Sequence, residues 1–83
     1  MYRVVIEKSV QKQLEKIAEP HYSRVRTAIL ELANNPRPPG YKKLIGRNGY
    51  RIRQGDYRII YEIADEILTV QVLAAGHRRD IYE

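Results

Sequence analysis

The dipeptide Gly55-Asp56 separates two runs of β-forming residues, 50–54 and 57–63, and it limits what the chain can fold into more than any other short segment. Glycine at the first central position suits a two-residue type II′ hairpin. Such a turn pairs residues whose numbers sum to 111, so Ile52 faces Ile59 and Tyr50 faces Tyr61. Arg53 then falls opposite Arg58, and Arg51 opposite Ile60. Asp65-Glu66 reads as a second two-residue turn, which sets Ile63 against Leu68, Tyr61 against Val70 and Ile59 against Val72. One side of the sheet becomes Tyr50, Ile52, Ile59, Tyr61, Ile63, Leu68, Val70 and Val72, which is a core side. The other side carries Arg51, Arg53, Arg58, Ile60, Glu62, Thr69, Gln71 and Leu73. A slip of one residue would drive every one of these arginines into the core, so the register is strongly specified.

The remaining segments follow from periodicity and punctuation. Residues 2–6 are β-branched and read as a strand. Ser9 is placed to cap a helix in which Val10, Leu14 and Ile17 share one face. Pro20 suits the first turn of a second helix, whose apolar face is Tyr22, Val25, Ile29 and Leu32. Asn34-Asn35-Pro36 ends that helix, Pro38-Pro39-Gly40 is a stiff connector, and 41–45 is a short strand. Residues 67–75 form the last strand, and Gly76 releases a basic tail. The expected fold is α+β, in the order β-α-α-β-β-β: a small antiparallel sheet, a two-helix hairpin packed on one face, and a short C-terminal tail. A chain of 83 residues supports one such domain over 1–83.

Charge marks the exposed side of this sheet as the place to look. The net charge is +5, and residues 37–58 hold seven basic side chains against Asp56 alone, or +6, which leaves −1 for everything else. Arg53 opposite Arg58 breaks the rule that like charges avoid facing each other across strands, and such violations concentrate at functional sites. The last strand runs antiparallel to 57–63, so His77, Arg78, Arg79 and Tyr82 are expected to return toward Arg53 and Arg58. Clustered guanidiniums of this kind suit phosphate.

The composition closes off other chemistries. There is no cysteine, hence no disulfide and no thiolate zinc site. No carboxylate or histidine cluster has metal-ligand spacing, and no glycine loop is built to cradle phosphates, so neither metal nor cofactor is expected. No apolar run approaches the ~18–20 residues that span a bilayer, so no membrane is expected and the cytoplasm is the expected location.

The segments Gly49-Tyr50-Arg51-Ile52-Arg53-Gln54-Gly55-Asp56-Tyr57-Arg58-Ile59-Ile60-Tyr61-Glu62-Ile63 and Gly76-His77-Arg78-Arg79-Asp80-Ile81-Tyr82, together with Leu44-Ile45-Gly46, resemble the RelE branch of the RelE/ParE toxin superfamily. The likeness runs along essentially the whole chain. It implies a type II toxin that cleaves messenger RNA in the ribosomal A site and is held inactive by a cognate antitoxin. By that resemblance Arg51 and Arg53 stand where lysine or arginine is common, Arg58 matches the arginine of the family's Asp-Tyr-Arg segment, and Arg78 and Tyr82 match carboxy-terminal site residues. This chain differs from the lysine-bearing members in having arginine at both strand positions, and its tail carries His77 with a shorter spacing from Arg78 to Tyr82.

For such a reaction the 2′-hydroxyl attacks the adjacent phosphorus, and the protein orients the nucleotide and stabilises the added negative charge. Arg58 and Arg78 are assigned to the scissile phosphate, and Arg51 and Arg53 to binding and orientation. A guanidinium is a very poor base. His77 has the right ordinary pKa to move a proton, with a structural hydrogen-bonding role as the alternative. Tyr82 can stack on a base, or simply pack on the sheet. Lys42, Lys43, Arg47 and Arg79 are expected to contact RNA, whereas Lys12, Lys16, Arg24 and Arg26 read as solvated helix faces and His21 as a surface residue. Tyr2, Tyr50 and Tyr61 read as core. Two other readings stay open: a ParE-like poison of DNA gyrase without catalysis, and an RNA-binding domain that does not cleave.

Overall fold

The computed structural model describes residues 1–82. Strand β1 (Arg3–Ile6) leads into helices α1 (Lys8–Glu15) and α2 (His21–Glu31), followed by β2 (Lys42–Lys43), β3 (Tyr50–Gln54), β4 (Tyr57–Ala64) and β5 (Thr69–His77). The strands form one sheet in the order β1-β5-β4-β3-β2. The α+β class is that expected, and the sheet has one strand more than the order β-α-α-β-β-β counts, since the two-residue β2 pairs at its edge.

One pairing departs from an all-antiparallel sheet. From β2 to β5 every neighbour is antiparallel, but β1 lies parallel to β5, with Arg3 opposite Thr69 and Ile6 opposite Val72. The reason is one of direction. Three successive hairpin reversals leave β5 antiparallel to β2, and the helical connection delivers the chain into β2 running opposite to β1, so β1 and β5 must agree.

The helices form where the apolar spacing placed them. Val10 and Leu14 of α1 with Ile17 just after it, and Val25 and Ile29 of α2 with Leu32 at its C-cap, join Ile52, Ile59, Tyr61, Val70, Val72 and Ala75 in one buried cluster. Full burial of side chains of this size contributes about 1.5–3 kcal/mol each. Ser9 does not cap α1. The helix starts one residue earlier behind Glu7, whose carbonyl accepts from the Val10 and Gln11 amides, both at 3.0 Å, and Ser9 sits exposed within the first turn. The end of β1 decides this start, because the chain must leave the sheet after Ile6. Pro20 holds the N-cap position of α2, and the Glu19 carboxylate accepts from the Ser23 amide (3.0 Å) and hydroxyl (2.6 Å). Those two bonds hold Glu19 below its usual carboxylate pKa.

The second turn also departs from expectation. In place of a two-residue Asp65-Glu66 turn there is a 3₁₀ turn over Asp65–Ile67, closed by Leu68 in the left-handed region at φ 47°. Leu68 is therefore exposed and outside the sheet rather than opposite Ile63, whose partner is Val70. Further along, a bulge between Ile60 and Tyr61 on β4 shifts the β5 register by one: Tyr61 pairs with Val72, but Ile60 pairs with Ala74. Leu73 is the extra residue.

At the far side of the sheet a polar tie fixes the connector after α2. Arg37 makes a bidentate pair with Asp65, at 3.2 and 2.9 Å, and the Tyr2 hydroxyl donates to the same carboxylate at 2.6 Å. The two donors hold Asp65 down at about 2, the Arg37 bonds being the larger cause, while the carboxylate raises Tyr2 and Arg37. Next to Arg37 the fully buried Tyr61 donates its hydroxyl to the Pro36 carbonyl at 2.7 Å, and burial pushes that phenol up to about 12. Tyr61 and the half-buried Tyr2 and Tyr50 pack in or against the core, as expected.

Candidate nucleic-acid interface

The hairpin forms as its turn residues dictate. Gly55 takes φ +61° while Asp56 has negative φ, the pattern of a type II′ turn. The pairings Tyr50–Tyr61, Arg51–Ile60, Ile52–Ile59, Arg53–Arg58 and Gln54–Tyr57 all follow the expected register. Both helices pack on the Ile52/Ile59/Tyr61 side, so Arg51, Arg53 and Arg58 share the opposite face, which carries no helix. Their burial differs. Arg51 is the one buried charged side chain among the described residues, Arg58 is half-buried and Arg53 is exposed.

Neighbouring strands extend this face. Lys42 pairs opposite Arg51 and lies on the arginine side, whereas Lys43 pairs opposite Tyr50 at the sheet edge; both are exposed, as is Arg47 in the following loop. Leu44 and Ile60 are buried on this side and stand outside the main core cluster, Ile60 on the arginine side as its register placed it. Lys42, Lys43, Leu44, Ile45, Arg51 and Arg53 line a cleft of about 310 Å³.

The tail divides. Arg78 does return to the hairpin: its amide donates to the Asp56 carbonyl at 2.7 Å, and its Nε lies 3.9 Å from the Asp56 carboxylate. Gly76 pairs opposite Arg58, and a Cβ at Gly76 would meet the Ile81 side chain at 3.2 Å, so the tail folds back over the sheet beside Arg58. Tyr82 is 85% exposed rather than packed on the sheet.

His77 does not join the arginines, contrary to expectation. The bulge flips the parity of β5, so Ala75 faces Ile59 and His77 faces Tyr57 on the helix side. There the Tyr57 ring lies between two imidazoles, 5.4 Å from His77 and 5.3 Å from His21. The His77 Nδ1 accepts the Arg79 amide at 3.2 Å. Arg79 likewise lies away from the arginine face, beside Gln13 and Lys16 of α1. His21 is exposed, as expected, although its packing against Tyr57 was not legible in the sequence. Arg37, counted in the basic window, is committed to Asp65 at the other end of the sheet.

Among the described residues no group of three His, Asp or Glu side chains could hold a metal ion, and no helix is long and apolar enough to cross a membrane. The arrangement can bind and orient an anion, and it can stabilise charge that develops on one.

A sequence model described as "ParE toxin of type II toxin-antitoxin system, parDE" matches residues 4–82. The chain therefore belongs to the RelE/ParE superfamily of type II toxins, and its resemblances are to RelE-type members. It superposes on the RelE–RelB complex of Pyrococcus horikoshii with a TM-score of 0.81 and 34% identity, covering 93% of this chain and 94% of that one. The RelB–RelE complex of Methanococcus jannaschii gives 0.75 with 28% identity, over 95% of each chain. Toxin RelG of Mycobacterium tuberculosis is 48% identical over 33 residues, a stretch that spans 40% of this chain and 38% of that toxin.

Proposed function

We propose that this chain is a ribosome-dependent endoribonuclease toxin that cuts messenger RNA and so inhibits translation in the cytoplasm. The observation that carries the reading is the sharing of one helix-free sheet face by Arg51, Arg53 and Arg58, with Arg78 returned to the hairpin turn beside them. In the reaction the 2′-hydroxyl oxygen bonds to the adjacent phosphorus and the bond to the 5′-oxygen breaks, leaving a 2′,3′-cyclic phosphate and a 5′-hydroxyl. Arg58 and Arg78 offset the charge gathering on the phosphorane, and Arg51 and Arg53 hold the strand in place. No guanidinium takes the proton, and His77 lies across the sheet, so the 2′-hydroxyl proton passes to water and water returns a proton to the departing 5′-oxygen. Exposed Tyr82 is available to stack on a base. Lys42, Lys43 and Arg47 add contacts to RNA, and exposed Arg79 adds charge.

The partner of such a toxin is a cognate antitoxin, in keeping with the RelE–RelB complexes among its structural neighbours. An acidic amphipathic segment is the chemistry that would cover the basic face or displace the tail. No cofactor enters the scheme.

The test is primer-extension mapping of cuts in a message on programmed ribosomes, with Arg58→Ala, Arg78→Ala and His77→Gln beside the parent. Loss of cutting in the two arginine variants, with His77→Gln retained within a few-fold, is the expected pattern. Cutting unchanged in both arginine variants overturns the site assignment. The family description favours a second reading, a ParE-like poison of DNA gyrase. Gyrase-dependent DNA breaks without message cleavage would establish it. Ribosome or RNA binding with neither outcome would leave a non-cleaving RNA-binding domain.

A further inference from the structure

The cleft at the β2 edge sits apart from Arg58 and Arg78, and its lining is unusual for a solvated surface. Four cations, Lys42, Lys43, Arg51 and Arg53, surround two aliphatic side chains, Leu44 and Ile45. Leu44 is buried, whereas Ile45 is 96% exposed and lies between Lys43 and Arg47. An isoleucine this open gains nothing from the fold. The loop that carries it is nevertheless held firmly: the Leu44 amide donates to the Gly49 carbonyl at 3.0 Å, and Gly49 adopts φ +116°. A Cβ at Gly49 would approach the Tyr61 carbonyl oxygen to 3.1 Å, so only glycine lets the loop close onto β4 this tightly. A pinned loop presenting one bare aliphatic side chain among cations fits a ligand with an anionic and an apolar part.

We propose that this cleft is a nucleotide subsite for single-stranded RNA. Lys42 and Lys43, with Arg51 and Arg53 behind them, hold a backbone phosphate, and Ile45 packs against the face of the attached base. The volume, about 310 Å³, is at the small end of the ~300–1,000 Å³ range of ligand sites. Apolar side chains serve as stacking partners for unpaired bases, and stacking is available only where a base is free of its duplex. The cleft lies between β2 and β3, and Arg58 is on β4. Lys42 and Lys43 on β2 stand two strand spacings, about 10 Å, from β4, while Arg53 on β3 lies directly opposite Arg58, so a phosphate held by the two lysines neighbours the scissile one, with Arg53 between them. The proposal rests on the RNA reading above and adds to it a second grip on the message, with a base contact that can prefer some nucleotides over others.

The test uses a fluorescein-labelled 2′-O-methyl RNA hexamer, which lacks the attacking hydroxyl and cannot be cleaved, titrated against the folded protein across a salt series. Ile45→Ser should weaken binding about tenfold with the salt slope unchanged, because it removes stacking and no charge. The double variant Lys42→Gln/Lys43→Gln should weaken binding and lower the slope of log K against log salt by about 0.7 for each phosphate no longer neutralised. Arg24→Gln, on the exposed face of α2, serves as the charge-removal control and should leave the hexamer's affinity unchanged. All four substituted side chains are exposed, and a matching thermal midpoint confirms the fold of each variant. Failure of the parent to bind the hexamer saturably overturns the subsite. So does Ile45→Ser binding as tightly as the parent, an unchanged slope in the lysine pair, or equal affinity for a six-base-pair DNA duplex. The two readings fail separately. Message cleavage with hexamer binding insensitive to Ile45 removes the subsite alone, and the full binding pattern without any cleavage removes the nuclease alone.

Discussion

Two regions of the sheet handle arginine in opposite ways. At the β1 and β4–β5 turn end, Arg37 is locked bidentately onto Asp65, and the same carboxylate takes the Tyr2 hydroxyl. At the Gly55-Asp56 end, Arg53 and Arg58 are set directly opposite one another, and the Asp56 carboxylate stands 3.9 Å from Arg78. The first region uses charge to fasten a connector. The second concentrates like charge where cross-strand pairing disfavours it.

The largest effect that would sharpen this contrast is catalytic. Arg58→Ala should cut message cleavage by about 10²–10³-fold, the cost of removing one charge-stabilising donor, with little change in thermal midpoint. A variant that unfolds instead would place Arg58 in the fastening class. Tyr61→Phe should do the reverse: it leaves the Pro36 carbonyl without its buried donor, costs about 1–2 kcal/mol, and lowers the thermal midpoint by several degrees without touching the arginine face. Calorimetry beside the cleavage assay reads both.

The third prediction concerns acid. Asp65 titrates at about 2 in the folded protein, below the ordinary 3.8, so the folded state binds this proton more weakly than the unfolded chain. Its stabilisation is complete above the unfolded value and is lost as the pH falls through about 2. Urea midpoints measured from pH 5 down to 2 should fall less steeply for Asp65→Asn than for the parent, and identical slopes would remove Asp65 from the fastening network. The smallest effect is at the crowded end. Arg53→Gln should leave stability within about 0.5 kcal/mol of the parent at any salt concentration, because the side chain is exposed. A larger drop in stability would show that the facing pair supports the fold.

The legibility of these regions differed for reasons that can be traced. The β3–β4 register was readable to the residue, because a two-residue turn with glycine first leaves no slack, and Arg51, Arg53 and Arg58 came with it. The β4–β5 register was not. Nothing local in Asp65-Glu66-Ile67-Leu68 announces a 3₁₀ turn with leucine left-handed, and nothing in Leu73 announces a bulge. That single extra residue moved His77 to the helix side, where it meets Tyr57. Ser9 failed as a cap for a related reason: the end of β1 set the start of α1. Arg37 and Asp65 are 28 residues apart, and no pattern along the chain joins them.

By itself the sequence determined the element order, the apolar faces of both helices and the sidedness of the hairpin, since each follows from short-range periodicity and turn chemistry. Only the tertiary structure decided which residues beyond the hairpin share the arginine face. That choice depends on the parity of β5, and parity is set by a bulge whose cost and benefit are settled by packing between strands rather than by the residues that form it.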